Sequence, residues 1–590
     1  MTRRTVLILA GILLFQTLVV ALVLTPRPHN GGDNAGYVSL AYSLLERGAY
    51  LELWDPVEPP HTKYPPVLPV LLAGLILAGA KSWVGLKLIP AFSTVLAVAF
   101  AFLWARERGG SVMGLGVAAL LGLSSAVVYY SQWVLSDPTF LALTLGALWA
   151  LERARGGRGK EGGRRGRRES GRKGGKGAAK GAEGTGGGDE EGDKAGRGDP
   201  SWLAAGMIMV LLAYLTRSAG LPLALAVGIW LAHRRRWIAL GAFAAVIGVP
   251  AFLWWLRGYV VGGSEYVSEF WLVDPYRPFL GTVGPLELLE RVKANLLAYV
   301  GQIVPAGIVG QGRPFLPPLG VGLLALWLLG WARALRERVG VPELFLPLYF
   351  GLILLWPTPW SGDRFALPLF PLMFFYAGAA LLWLLRPLGT RKRGVVLVVL
   401  AAGLAIPMVH HWSVLARDAG SCREATRAGE PERCLFAAEQ EYLALARWSG
   451  DHLPDGSVVV TRKPRIFHVM SGIKALSVPF TTDPDDFLQR ARAGGAAYVT
   501  LDLMDTVSRF YVLPVLRDRL PFVCAIVDEG SHGEMGTQIL GILDEGERLG
   551  EGDPSALYVC PEGWLREVPR GRAVPGPWEV PLLVWRGRGL

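Results

Sequence analysis

Long apolar runs, broken by short basic or polar stretches, fill the first 410 residues and predict a polytopic α-helical membrane protein. A span needs about 20 apolar residues. Runs of that kind lie near 6–25, 83–104, 112–132, 138–152, 201–216, 220–232, 238–256, 318–332, 343–357, 366–385 and 394–410. The run 66–80 can be read two ways. If it crosses the bilayer, Arg106, Arg108 and the basic tract 153–197 fall outside, against the inward bias of basic residues. If it lies in the interface, every basic cluster lands on one side: Arg3-Arg4, Arg106/Arg108, the 153–197 tract, Arg234-Arg235-Arg236, Arg333/Arg336/Arg338 and Arg386/Arg391-Lys392-Arg393. The second solution gives about eleven spans in the cell (inner) membrane, with the N-terminus cytoplasmic and the C-terminus outside. It makes 26–82 a first external loop with an interfacial helix and 257–317 a large external loop.

Past residue 410 the periodicity changes. Apolar β-rich runs at 457–461, 497–501, 522–527 and 538–543 alternate with helical patterns near 436–450, 483–493 and 505–518. Residues 411–590 therefore read as an extracytoplasmic α/β domain attached to a 1–410 transmembrane unit. No G-x-G-x-x-G follows a strand and no G-x-x-x-x-G-K-[ST] occurs, so nucleotide binding has no support. Cys422, Cys434, Cys524 and Cys560 all lie here, none at C-x-x-C spacing. Disulfides formed in an oxidising compartment and free buried thiols both fit; if bridged, Cys422 pairs with Cys434 and Cys524 with Cys560. The tract 153–200 is Gly-rich with mixed charge and too little apolar content to fold. It reads as a disordered cytoplasmic insertion.

Composition agrees: the 590 residues are 51% hydrophobic and 18% charged, with a mean hydropathy of +0.34. The formal charge of +11 would suit nucleic acid if the cations shared one surface. They are instead scattered through loops between spans, so the partner is the lipid bilayer and not nucleic acid. The first apolar run lacks a small-residue cleavage site and reads as an uncleaved helix.

The sidedness brings five charged residues to the external face: Asp33, Lys63, Asp137, Arg217 and Arg364. Each has a plainer reading. Asp33, in Gly31-Gly32-Asp33-Asn34-Ala35-Gly36-Tyr37, fits a solvated loop acid, and Lys63 an exposed loop lysine. Asp137, in Leu135-Ser136-Asp137-Pro138, fits a helix cap. Arg217 fits a snorkelling boundary residue, and Arg364 a local bridge to Asp363. His61 and Tyr64, in His61-Thr62-Lys63-Tyr64-Pro65-Pro66, fit a passive polar residue and an anchor, as does Tyr37; His410-His411 fit the interface. Ionisable groups at a membrane edge are costly, which favours function for the set.

An early external Asp, the Lys63-Tyr64-Pro65-Pro66 segment, an acid opening the fourth span and the late Arg364-Phe365…Leu367-Pro368…Pro371 run together resemble the GT-C superfamily of membrane glycosyltransferases. The pattern is similar to the bacterial members of the dolichyl-phosphate-mannose protein mannosyltransferase family and to the lipid A aminoarabinose transferases, over roughly residues 1–410. The resemblance implies catalytic roles for Asp33, acting on the acceptor, and for Asp137. Members often carry a second acid beside the first, where this chain has Asn34. Related oligosaccharyltransferases bind a divalent metal through acids at these places, which leaves a metal on Asp33 and Asp137 open; no other cofactor is implied. The expected activity is transfer of a sugar from a polyprenyl-phosphate donor to a hydroxyl of a lipid, glycan or protein acceptor. Lys63, Arg217, Arg364, His61 and Tyr64 are the candidate substrate-binding residues.

The residues support that chemistry directly. A departing phosphate needs cations, an oxocarbenium-like sugar forms, and one carboxylate can take the acceptor proton. A single base and no second nucleophile favour inversion. A transporter or flippase for a lipid-linked substrate would instead show midplane charges and an internal repeat. A diphosphate-donor polymerase or ligase would share much of the pattern. A non-catalytic anchor for a binding domain leaves the five charges unexplained. Cysteine-accessibility mapping should find 153–200 and 411–590 on opposite sides of the membrane; both on one side would overturn the topology.

Overall fold

The computed structural model describes residues 1–29, 31–155, 199–262, 265–534, 536–544 and 557–567. The 153–200 insertion thus lies almost wholly outside the described residues. Among them, Arg3–Val23, Trp83–Leu123, Trp237–Val260, Pro285–Val309, Leu316–Glu337, Asp363–Leu384 and Thr390–Arg427 are long and apolar enough to cross a bilayer. Pro200–Thr216, Ser218–His233, Val341–Leu355 and Ser136–Ala154 complete the bundle. Val67–Leu77 has 11 residues; at about 1.5 Å per residue it is far short of a bilayer core of roughly 30 Å.

The two ends of the bundle are both marked by charge. At one end Arg108 bonds Glu152 (3.0 Å) and Glu343, and Arg338 bonds Glu152 (3.0 Å). Basic residues from separate breaks between spans therefore converge there. At the other end lie Asp33, Asp137, Arg217 and Arg364. Ser136–Ala154 shows the polarity in one helix, with Asp137 in its first turn and Glu152 in its last.

Several segments depart from the sequence reading. The expected runs 83–104 and 112–132 are both present but have no loop between them: Leu88–Leu123 doubles back on itself, and the short helix Ser125–Tyr130 follows. The reversal is made at Gly110, whose φ of 85° only glycine adopts without strain. The 257–317 segment is largely helical. Pro285–Val309 is long enough to span, yet both halves touch the same end of the bundle. Asn295 donates to the carbonyls of Leu354 and Trp356 (both 2.8 Å), and a Cβ on Gly307 would lie 3.1 Å from Asp363. Thr390–Arg427 continues through His410-His411 without a break, so a boundary at 410 falls inside a helix.

The C-terminal domain is a five-stranded sheet in the order β2-β1-β3-β5-β4, with β1 Val458–Thr461, β2 Lys474–Ser477, β3 Tyr498–Leu501, β4 Val523–Ala525 and β5 Gln538–Ile542. The first three strands are parallel and the last two antiparallel. β2 and the helix Pro464–Ser471 were not legible as separate elements. Cys422–Cys434 and Cys524–Cys560 are disulfides. The domain and the 26–82 segment share one core, in which Tyr37, Trp54, Trp83 and Trp133 pack with Tyr442, Ile466, Phe467 and Ala475. The Ala475 N–H donates to the Trp54 carbonyl (2.7 Å), and Lys474 bridges to Glu58 (2.7 Å).

Asp502, just past β3, is fully buried. Its Oδ1 accepts from the Met504 N–H (3.1 Å). Burial pushes its carboxyl up to about 6. A carboxyl raised in the folded state contributes its full stability below about pH 4 and loses it as pH rises through about 6. Asp502→Asn should therefore stabilise β3 amides against hydrogen exchange at pH 8 by roughly 2–3 kcal/mol, at about 1.4 kcal/mol per pH unit, with no gain at pH 4. A wild-type advantage at pH 8 would contradict this.

Candidate active site

A cavity of about 750 Å³ lies between the charged bundle end and the C-terminal domain. Its walls come from the 26–82 segment, the bundle ends near 217 and 364, the 265–276 stretch and the domain stretches 462–465 and 475–480.

Asp33 is not in a loop. It sits in the first turn of the helix Gly32–Glu46, where the amide dipoles favour a carboxylate. Its Oδ1 accepts from the Tyr64 hydroxyl (2.7 Å) and its Oδ2 from Arg364 Nη1 (2.9 Å). Burial alone would raise the carboxyl. Arg364, the Tyr64 hydrogen bond and Arg465 outweigh it and hold the group far below the ordinary carboxylate range. Asp33 is thus an anion with a guanidinium on one oxygen and a phenol on the other.

Gly36 sits one turn further along the same helix. A Cβ there would stand 3.1 Å from both the Arg465 side chain and the Tyr64 ring. A helical glycine costs about 1 kcal/mol relative to alanine; here it admits the two side chains that reach toward Asp33. Asn34 is 1% exposed, and its amide bonds no described group. A second acid at that position would be buried and need its own cation.

The other expected residues divide into those on the cavity wall and those behind it. Lys63 lines the cavity, bridges to Glu269 (2.6 Å) and lies 5.4 Å from the ring centres of Tyr266 and Trp360. Arg217 and Arg364 line it as well, and so does Tyr64. Asp137 is 3% exposed and lies behind Arg217, to which it is salt-bridged. It is a first-turn residue after Leu135 rather than the cap itself. His61 is fully buried. Its Nδ1 meets Glu52 (2.6 Å) and its Nε2 accepts from the Tyr64 N–H (2.8 Å), so it fixes the backbone of Tyr64 from outside the cavity. Tyr37 bonds Ser136 (2.9 Å) and ties the Asp33 helix to the Asp137 helix. Asp363 pairs with the Tyr130 hydroxyl (2.7 Å), which leaves the neighbouring Arg364 to Asp33.

Asp33 and Asp137 are both engaged by cations of the chain itself. Each holds its own arginine, and the described residues contain no group of three or more His, Cys, Asp or Glu able to hold an ion.

Several wall residues were not anticipated. Glu269 supplies the partner of Lys63. His29 lines the cavity and is lowered to about 4 by burial, so it is neutral at physiological pH; its Nδ1 accepts from the Gly31 N–H (2.8 Å), which leaves its proton on Nε2. The domain contributes Arg462, Lys463 and Arg465. A signal for these exists in the run Thr461-Arg462-Lys463-Pro464-Arg465 directly after an apolar strand, since ligands gather at the carboxyl ends of strands in such sheets.

No protein-family model and no curated protein matches the chain. Solved structures do. The apo crystal structure of ArnT from Cupriavidus metallidurans aligns with a TM-score of 0.50 at 14% identity, over 91% of this chain and 97% of that one. The Archaeoglobus fulgidus oligosaccharyltransferase tethered to an acceptor peptide aligns with a TM-score of 0.50 at 15% identity, over 92% of this chain and 74% of that one. The chain shares the fold of these two structures. Within this fold the cavity lies where the bundle meets the C-terminal domain.

Because burial opposes ionisation of Asp33, the arginine is what keeps it charged. Arg364→Gln should move the Asp33 carboxyl upward, toward or past about 4, read from the pH titration of a ¹³C-labelled aspartate signal that Asp33→Asn removes. An unmoved titration would show that Arg364 does not set the charge.

Proposed function

We propose that this protein is an integral membrane glycosyltransferase that moves a sugar from a polyprenyl-phosphate donor to an acceptor hydroxyl at the outer membrane face. The observation that carries the reading is the Asp33–Arg364 pair on the wall of a large cavity at the membrane edge. A base and a phosphate-binding guanidinium are thereby held within hydrogen-bond distance of each other. The GT-C fold favours this class by analogy. In this reading residues 1–410 form the catalytic membrane unit and 411–590 an extracytoplasmic domain, whose two disulfides suit an oxidising compartment.

The donor enters with its chain in the bilayer and its phosphate against Arg364 and Arg217. Arginine binds phosphate in bidentate fashion. As Arg364 turns to the phosphate, Asp33 loses the charge that depresses its basicity. The acceptor oxygen attacks the anomeric carbon, and its proton passes to Asp33. The bond from that carbon to the phosphate oxygen breaks, and polyprenyl phosphate leaves with the electron pair, stabilised by the guanidinium groups. One displacement inverts the anomeric centre. Lys63, bridged to Glu269 beneath Tyr266 and Trp360, borders the sugar pocket, and Tyr64 keeps Asp33 oriented. Asp137 holds Arg217 in place; removing the carboxylate would leave a buried cation uncompensated.

Asp33→Asn keeps the shape and removes the proton acceptor, so transfer should fall by about 10²–10⁴-fold without loss of folded protein. In cells, lipid extracts should then accumulate the lipid-linked sugar as they do when the protein is absent. If Asp33→Asn transfers normally while Asp137→Asn does not, the base is Asp137. Normal transfer in both variants would overturn the mechanism.

A further inference from the structure

The cavity has two cationic walls, and the donor accounts for only one of them. Arg217 and Arg364 stand on the bundle ends, where a lipid-borne phosphate arrives. Across Asp33 stands the loop between β1 and the helix Pro464–Ser471, which lines the same cavity with Arg462, Lys463 and Arg465. Among the described residues a line of contacts connects the two walls: Arg364 to Asp33 (2.9 Å), Asp33 to the Tyr64 hydroxyl (2.7 Å), and that hydroxyl to Arg465.

Charge is uneven on the domain wall. Arg462 takes both oxygens of Asp505 (2.8 and 3.1 Å). Lys463 reaches the same carboxylate only at 3.7 Å. Arg465 lies 4.9 and 5.1 Å from the ring centres of Trp54 and Tyr64, which hold its guanidinium beside the cavity. Burial, and then the neighbouring Arg462, lower the Lys463 ammonium from its ordinary range, which an arriving anion would relieve. Pro464 opens the following helix at its first position, and the amides of that first turn add positive potential on the same side.

We propose that Lys463 and Arg465 form a second anion site that takes a phosphate or carboxylate group of the acceptor. An acceptor anchored there would bring a hydroxyl to Asp33 from the side opposite the donor phosphate. The C-terminal domain is then part of the active site, and the enzyme selects anionic acceptors over neutral ones. The inference rests on the glycosyltransferase reading, which supplies the donor on the other wall.

The test uses the full chain in nanodiscs of phosphatidylcholine, with a short-chain polyprenyl phosphate and inorganic phosphate as separate probes. Protein saturated with the polyprenyl phosphate should still bind inorganic phosphate. Lys463→Gln combined with Arg465→Gln should weaken inorganic phosphate about tenfold or more and leave polyprenyl phosphate within about twofold. The Lys463→Arg/Arg465→Lys protein should retain both, which separates loss of charge from misfolding. Arg364→Gln should show the reverse selectivity. Competition between the probes in the wild type, or equal loss of polyprenyl phosphate in the double Gln variant, would assign these cations to the donor and overturn the proposal. Inorganic phosphate binding unchanged in that variant would overturn it too. A wild type that binds no polyprenyl phosphate would remove the glycosyltransferase reading itself.

Discussion

A carboxylate at residue 33 and a guanidinium at residue 364 meet at 2.9 Å, at the point where the membrane helices end and the C-terminal domain begins. Both side chains are partly withdrawn from water, so each charge is more stable beside the other than alone. Their pairing fixes which end of Gly32–Glu46 and which end of Asp363–Leu384 must be neighbours. The other site contacts repeat the device at smaller scale: Arg217 with Asp137, Lys63 with Glu269, Arg462 with Asp505. Each cavity cation in these pairs is stabilised by a carboxylate from a different element, so the site exists only when all the elements are docked. A phosphate that draws one of these cations away changes the state of the acid left behind.

The scaffold makes that exchange local. The Asp33 helix is held from below by the Tyr37–Ser136 bond and from above by the domain core around Tyr442, Ile466 and Phe467. The Arg257 guanidinium reaches the His61 and Tyr50 carbonyls, tying the Trp237–Val260 helix to the same segment. His61, buried against Glu52, sets the backbone of Tyr64. The flanks of the Asp33 segment are thus fixed by neutral or self-contained contacts, while the groups on the cavity wall are paired ions.

Much of this is legible in the chain. Hydropathy marks most spans, and basic clusters give the bundle its polarity. That polarity alone assigns Asp33, Lys63, Asp137, Arg217 and Arg364 to one membrane face, although they are far apart in sequence. The strand pattern after 457 anticipates four of the five strands. The helix Gly32–Glu46 escapes because residues 34–43 are buried on every side, so no polar stripe gives a helical period. Pro285–Val309 escapes because charged residues in its first half break the apolar run. The pair Asp33–Arg364, as opposed to Asp363–Arg364, is a tertiary fact; Tyr130 captures Asp363, and no local pattern foretells that. His61 stands two residues from Lys63 yet turns away from the cavity, since its ring is committed to Glu52 and to the backbone of Tyr64.

In the proposed mechanism donor phosphate takes Arg364 from Asp33 and so frees the base. Isotope-edited infrared difference spectroscopy on the full-length protein, with and without polyprenyl phosphate, tests it directly. Binding should shift an aspartate carboxylate stretch, a change absent from Asp33→Asn and already present without ligand in Arg364→Gln. Polyprenyl phosphate bound with no change in the Asp33 carboxylate would mean that the pair stays closed and that the donor does not free Asp33.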